Sequence, residues 1–420
     1  MTPIDSLKCC LATGSLGLIL LCGCGQGESG PTSDVTESQP SADVRLGNPS
    51  ETAQSLPTAS IRQSPPQGGD GSSSAAPAKG SAAWYVQEAK SLRRQPQLQT
   101  ASAEDPHSAR QSRNQEIIEA STIAIGKSHS DPAQEATFSE AVRLLMDARL
   151  DQALEGDQHE IDVLFEDAAS LYKRAPKSAA AAEAAFAVAR FTHINARRYA
   201  KKEPRWVEEF ARQARNFGEN FPHEDGRAVS LLYAAGWSCE LHGMRDQAIE
   251  CYTTLKENFP QSPQAKQVAA VLRRLNLEGT SVQLAGPTLD GGFVSIDDYR
   301  GRLVLVVFWS TGTKRFEQQL PLLTDIAAKY EEDGFSIIGV NLDDTDETAT
   351  TFLQENSWQW PQIFFPDPEK RRWNNPVVKY YGIRDIPTLW LIDQQGIVVD
   401  TNVDADQLDA QVRGLLQSGR

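Results

Sequence analysis

Residues 308–321 read Phe308-Trp309-Ser310-Thr311-Gly312-Thr313-Lys314-Arg315-Phe316-Glu317-Gln318-Gln319-Leu320-Pro321. The two leading aromatics close a continuous apolar run, 303–309, rich in Val and Leu, which reads as a central strand buried on both faces. Helical spacing follows over 317–331, interrupted by Pro321. A strand, a short polar turn and a helix follow one another in that order.

Working outward, further apolar runs at 335–340 and 362–365 read as strands, and helical patterns occupy 346–356 and 404–416. Asp393-Gln394-Gln395-Gly396 reads as a hairpin turn into a strand at 397–399. The quoted motif resembles the FWATWCxPCRxExP signature of the TlpA/ResA-like thioredoxins, redoxins of the AhpC/TSA superfamily. Leu289-Asp290-Gly291-Gly292-Phe293-Val294-Ser295-Ile296-Asp297-Asp298-Tyr299-Arg300-Gly301-Arg302 resembles that family's opening hairpin, "DG..vsL.dyrGK". Gly382-Ile383-Arg384-Asp385-Ile386-Pro387-Thr388-Leu389-Trp390-Leu391-Ile392-Asp393 is similar to its "GvrgiPttflID". The resemblance covers 280–420 and implies an α/β thioredoxin-like fold, with Pro387 as the cis-proline facing the active-site helix.

The same resemblance puts Thr313 and Phe316 in the two cysteine positions, a degenerate CxxC. Gly312 stands for the usual Trp, Glu317 for Arg and Gln319 for Glu. Thiol–disulfide exchange needs a thiolate, which a helix N-terminus stabilises; a threonine hydroxyl titrates far too high and forms no mixed disulfide. No cysteine follows Cys251. No catalytic residue is therefore assigned, and Trp309, Ile386 and Pro387 are the expected binding residues.

A net charge of −15 argues against binding a phosphate backbone, so nucleic acid is not an expected partner. Residues 1–23 carry Lys8 and an apolar stretch at 9–21, too short for a permanent membrane span. They end in Leu21-Cys22-Gly23-Cys24, which resembles a bacterial lipobox with Cys24 as the lipidated residue. Bulky Leu21 makes Cys22 the poorer acceptor, and Gly25 in place of Asp leans towards the outer membrane. Cleavage would leave Cys24, Cys239 and Cys251, the last two expected as buried structural thiols. Residues 24–111 are dominated by Ser, Gly, Pro, Gln, Ala and Thr and read as a disordered low-complexity tether. Such a flexible chain spans on the order of 50 Å. Trp84, Tyr85 and Val86 mark a short helix or an isolated apolar patch within it.

Residues 137–275 carry helical periodicity with almost no strand signal, an all-α domain. Thr137-Phe138-Ser139-Glu140 has the form of a capping box. Between 229 and 262, Ala235-Gly236, Ala248, Tyr252 and Pro260 fall where a tetratricopeptide repeat places its small pair, small residue, aromatic and terminal proline. Glu219-Asn220-Phe221-Pro222 and Glu257-Asn258-Phe259-Pro260 are near-copies. The histidines His159, His193 and His223 lack metal-ligand spacing, and neither metal nor cofactor is expected. Ser310, Thr311 and Asp385 do not assemble into a nucleophile and base, and no histidine follows His242. The multidomain chain reads as a lipid-anchored envelope protein that binds a protein or peptide. The competing reading is a thiol:disulfide oxidoreductase or a peroxiredoxin-like antioxidant enzyme.

Overall fold

A computed structural model describes residues 76–95 and 105–418. The lipobox at Leu21 to Cys24 lies outside the described residues. The chain divides into two compact units between Ser170 and Leu171.

The first unit contains α1 (Ala82–Arg94), α2 (Pro106–Ser128) and α3 (Glu135–Leu154), and α4 (Gln158–Arg174) crosses the division. Val86 and Ala89 of α1, Ile117 and Ala124 of α2, and Leu144 and Ala148 of α3 share one apolar core. Two helices thus stand inside the 24–111 segment or across its end, where a tether was expected. Polar residues fill most of α2, and a few Ile and Ala on one side are enough to fix it. Helix α3 also starts earlier than Thr137. The Asp131 side chain accepts from the Ala133 N–H at 3.0 Å, Pro132 opens a 3-10 turn, and the helix is already running at Glu135. Glu140 caps nothing: it takes two hydrogen bonds from Arg143, at 2.8 and 2.9 Å, and an ion pair from Lys90. The Arg143 contacts hold its carboxyl well below the usual range, at about 2.

In the second unit α5 (Ala179–Tyr199), α6 (Arg205–Asn220), α7 (Asp225–Leu241), α8 (Arg245–Asn258) and α9 (Pro263–Leu275) pack in sequence. The two near-copies end α6 and α8 in the same way. Phe221 and Phe259 are C-caps with matching backbone angles, φ −126° and −128°, and both rings are buried. A Cβ on Gly236 would lie 2.5 Å from the Tyr252 ring, so only glycine lets α7 and α8 close on that tyrosine. Cys239 and Cys251 are free and fully buried. The hydrogen bond that the Cys251 S–H donates to Cys239, together with burial, pushes the Cys251 thiol far above its ordinary range. These five helices are grouped with the sheet that follows in the second compact unit.

That sheet has the order β5-β4-β3-β6-β7. A hairpin of β1 (Ala285–Pro287) and β2 (Phe293–Ser295) precedes it. Central β3 (Leu303–Trp309) is parallel to β4 (Phe335–Asn341) and antiparallel to β6 (Thr388–Ile392). The outer strands are β5 (Gln362–Ile363) and β7 (Val398–Asp400). Every residue of β3 is buried, because its side chains alternate between two cores. Leu303, Leu305, Val307 and Trp309 face α10 (Lys314–Tyr330) and α13 (Leu408–Ser418). Val304, Val306 and Phe308 face α12 (Pro376–Tyr381). α11 (Asp346–Glu355) completes the α/β unit. Pro321 lies inside α10 without ending it. The proline lacks only the bond to the Glu317 carbonyl, in the exposed first turn.

Candidate functional site

β3 delivers the chain to Ser310, a turn through Gly312 at φ +76° reverses it, and α10 begins at Lys314 with Thr313 as N-cap. The positive φ selects glycine at 312. Thr313 is half-buried at the free amides of the helix start, and its hydroxyl makes no capping bond. A thiolate here would be stabilised by those amides, whereas a neutral hydroxyl has no charge to stabilise.

One turn on, Phe316 is fully buried. Its ring stacks on Trp309 at 4.7 Å and on Trp358 at 5.4 Å, with Phe352 at 6.1 Å. Trp309 meets Phe352 and Trp358 at 5.2 and 5.1 Å, and its indole N–H donates to Gln362 Oε1 at 2.8 Å. An aromatic cluster therefore ties the start of α10 to the sheet. The same burial removes Trp309 from the expected binding residues: at zero exposure it reaches no partner.

Sequence reasoning missed the third component. Asp343, just past the end of β4, is 5% exposed, and its carboxylate collects four donors. The Ser310 hydroxyl donates to Oδ1 at 2.6 Å and the Thr311 N–H at 2.8 Å. The Thr311 hydroxyl donates to Oδ2 at 2.9 Å and Asn341 Nδ2 at 2.8 Å. Ser310 and Thr311 are thus joined to Asp343, not to Asp385. With both carboxylate oxygens taken, the arrangement is a clamp on the turn. The signal was there as Asn341 and Asp343 at the end of a buried strand, but Ser310 and Thr311 lie some thirty residues earlier.

Opposite the helix start, the Ile386–Pro387 peptide bond is cis. Arg315 in the first turn of α10 reaches Asp385 at 4.0 Å, an exposed pair, and the Thr388 hydroxyl donates to the Asp385 carbonyl at 2.8 Å. Ile386 is half-buried against the core beneath it, and Pro387 is buried. Gln319, farther along α10, has a buried Oε1 without a hydrogen-bond partner.

Arg384, from the loop before Pro387, runs into helices α7 and α8. Its guanidinium lies 5.2, 5.3 and 5.7 Å from the ring centres of Tyr233, Trp237 and Tyr252. It donates to the Tyr252 hydroxyl at 3.2 Å and to Glu240 at 3.4 Å, and Arg274 pairs with the same carboxylate. Burial, with Glu240 beside it, pushes the Tyr252 phenol above its ordinary range. Gly382, at φ +61°, ends α12 so close to α9 that a Cβ would lie 2.9 Å from the Val271 nitrogen. The loop carrying Pro387 is therefore pinned to the helices.

Among the described residues no group of three or more His, Cys, Asp or Glu is placed to hold a metal, and no helix is long and apolar enough to cross a membrane.

A family model described as thioredoxin-like matches residues 301–398. Thiol-disulfide oxidoreductase ResA of Bacillus thuringiensis subsp. konkukian is 28% identical over 129 residues, 31% of this chain and 70% of that protein. ResA of Oceanobacillus iheyensis is 29% identical over 29% of this chain and 59% of its own length. Among solved structures, the thioredoxin domain of a thiol-disulfide oxidoreductase from Bacteroides vulgatus is 26% identical, covering 33% of this chain and 97% of that one, with a TM-score of 0.30. A thiol:disulfide interchange protein from Bacteroides sp. is 27% identical over 33% of this chain and 90% of its own, also with a TM-score of 0.30.

Proposed function

We propose that this chain, whose C-terminal part has a TlpA/ResA-like thioredoxin fold, is a lipid-anchored envelope protein that binds extended protein segments without thiol chemistry. One observation carries the reading. The two positions that resemble the family's cysteine pair hold Thr313, at the helix start, and Phe316, buried in an aromatic cluster. The relatives' names favour an oxidoreductase, but that reaction needs a thiolate, and residues 252–420 contain no cysteine.

Lipid attachment at Cys24 after removal of residues 1–23 would tether the protein to a membrane, facing the periplasm, with the outer membrane favoured by Gly25. The helix pairs α5–α9, with their tetratricopeptide-like spacing, and the loop beside cis-Pro387 are the surfaces offered to an envelope protein or peptide. Because Trp309 and Pro387 are both buried, recognition falls to exposed groups around that loop.

A permanently unfolded, thiol-free chain tests this reading. The purified protein without its first 23 residues should bind fluorescent carboxymethylated α-lactalbumin saturably, with a Kd on the order of micromolar, and equally with or without dithiothreitol. Absence of saturable binding, or binding abolished by the reductant, would contradict it.

A further inference from the structure

Helix α9, Pro263–Leu275, carries Lys266, Arg273 and Arg274 and no acidic residue. Helix α12, Pro376–Tyr381, carries Lys379 and again no acidic residue. In a chain of net charge −15, two adjoining helices free of carboxylates are a local reversal of sign. Between them lies a groove of about 350 Å³, whose lining includes Tyr233, Lys266, Trp373, Lys379, Ile383 and Arg384. Every formally charged residue that lines it is a cation. Arg384 is already matched by Glu240, whereas Lys266 and Lys379 are exposed and form no ion pair among the described residues.

The groove also has an aromatic wall. Trp373 is 47% exposed, yet the segment that displays it is held firmly. Arg371 beside it donates to the carbonyls of Phe365, Asp344 and Pro366 at 3.0, 3.0 and 2.8 Å, and its guanidinium lies over the Phe364 ring at 4.6 Å. Arg372 sits at φ +54°, a conformation that costs a non-glycine residue energy and persists only where the surroundings impose it. Gly382 and Arg384 fix the two walls against each other, so the groove is formed before any partner arrives. A rigid, exposed tryptophan flanked by unpaired lysines is the composition of a binding anchor.

We propose that the groove between α9 and α12 binds an extended acidic segment of a partner protein, with aliphatic or aromatic side chains against Trp373 and carboxylates between Lys266 and Lys379. The inference rests on the binding function proposed above and gives it a site and a partner class. The volume admits a few side chains. A nucleic acid would lay its phosphate backbone across the wider acidic surface as well as the groove, whereas a short acidic segment meets the lysines alone.

Fluorescence anisotropy with a labelled peptide alternating Glu and Leu, and its Gln-for-Glu counterpart, decides the matter. The chain without its first 23 residues should bind the Glu peptide at least about tenfold more tightly than the Gln peptide, with affinity falling as salt rises. Lys266→Glu with Lys379→Glu should weaken binding by at least about tenfold, chiefly through charge, and Trp373→Ala should weaken both peptides. All three positions are exposed, so folding is preserved. No preference for the Glu peptide, or affinity unchanged in the charge-reversed variant, overturns the proposal. Vesicles of phosphatidylglycerol and phosphatidylethanolamine that bind with the same dependence on Lys266 and Lys379 overturn it in favour of a membrane contact. If carboxymethylated α-lactalbumin still binds while these variants change nothing, the site is wrong and the binding function stands.

Discussion

Replacing Phe316 with alanine should destabilise the thioredoxin-like part by about 3–5 kcal/mol, the range for emptying a fully buried aromatic site. The cost is high because the ring touches Trp309, Phe352 and Trp358 at once, and none of those rigid rings can collapse into the space. The loss is a large fraction of the stability of an ordinary domain. Hydrogen exchange of the β3 amides in the full-length chain reports it, since those central amides exchange only through large openings. Phe316→Leu keeps much of the volume and should lose less. A change under about 1 kcal/mol for Phe316→Ala would mean that the ring is not the tie between α10 and the sheet.

The second large effect belongs to Asp343. Asp343→Ala strips the acceptor from the Ser310 hydroxyl, the Thr311 N–H, the Thr311 hydroxyl and Asn341 Nδ2 together. Unmet donors cost about 1–3 kcal/mol each where water is excluded, and Ser310 and Thr311 are half-buried, so water recovers part. The net expectation is a loss of about 2–4 kcal/mol, concentrated in faster exchange at residues 310–313. Unchanged protection there would show that the turn holds its shape without the clamp.

How much of this was legible beforehand follows from what local pattern encodes. β3 was readable because seven consecutive apolar residues have few other uses, and the order of strands and helices around it followed from the same patterning. Helix α2 was not, because its start falls in the stretch read as a tether and its buried set of Ile117, Ile118 and Ala124 is embedded among polar residues. The capping box at Thr137 failed because Asp131 and Pro132 had already started the helix. In the site, the absence of any cysteine after Cys251 was visible in the sequence. The packing around the start of α10 was not, since Phe316 meets Trp358 and Ser310 meets Asp343 only after the sheet has formed. Trp309 was misjudged for a related reason. As the last residue of a strand buried on both faces it points into the core, not into the groove beside Pro387.

All of this depends on the thioredoxin-like part working without thiol turnover. Dithiothreitol-driven reduction of insulin disulfides by the purified chain tests that claim most directly, with the Thr313→Cys, Phe316→Cys double variant run beside it. The variant places a cysteine at the start of α10, next to Lys314 and Arg315, where a thiolate is favoured, and it should accelerate the reaction. The account predicts that the wild-type chain leaves the rate at that of the no-protein control. Wild-type turnover above that control would contradict it.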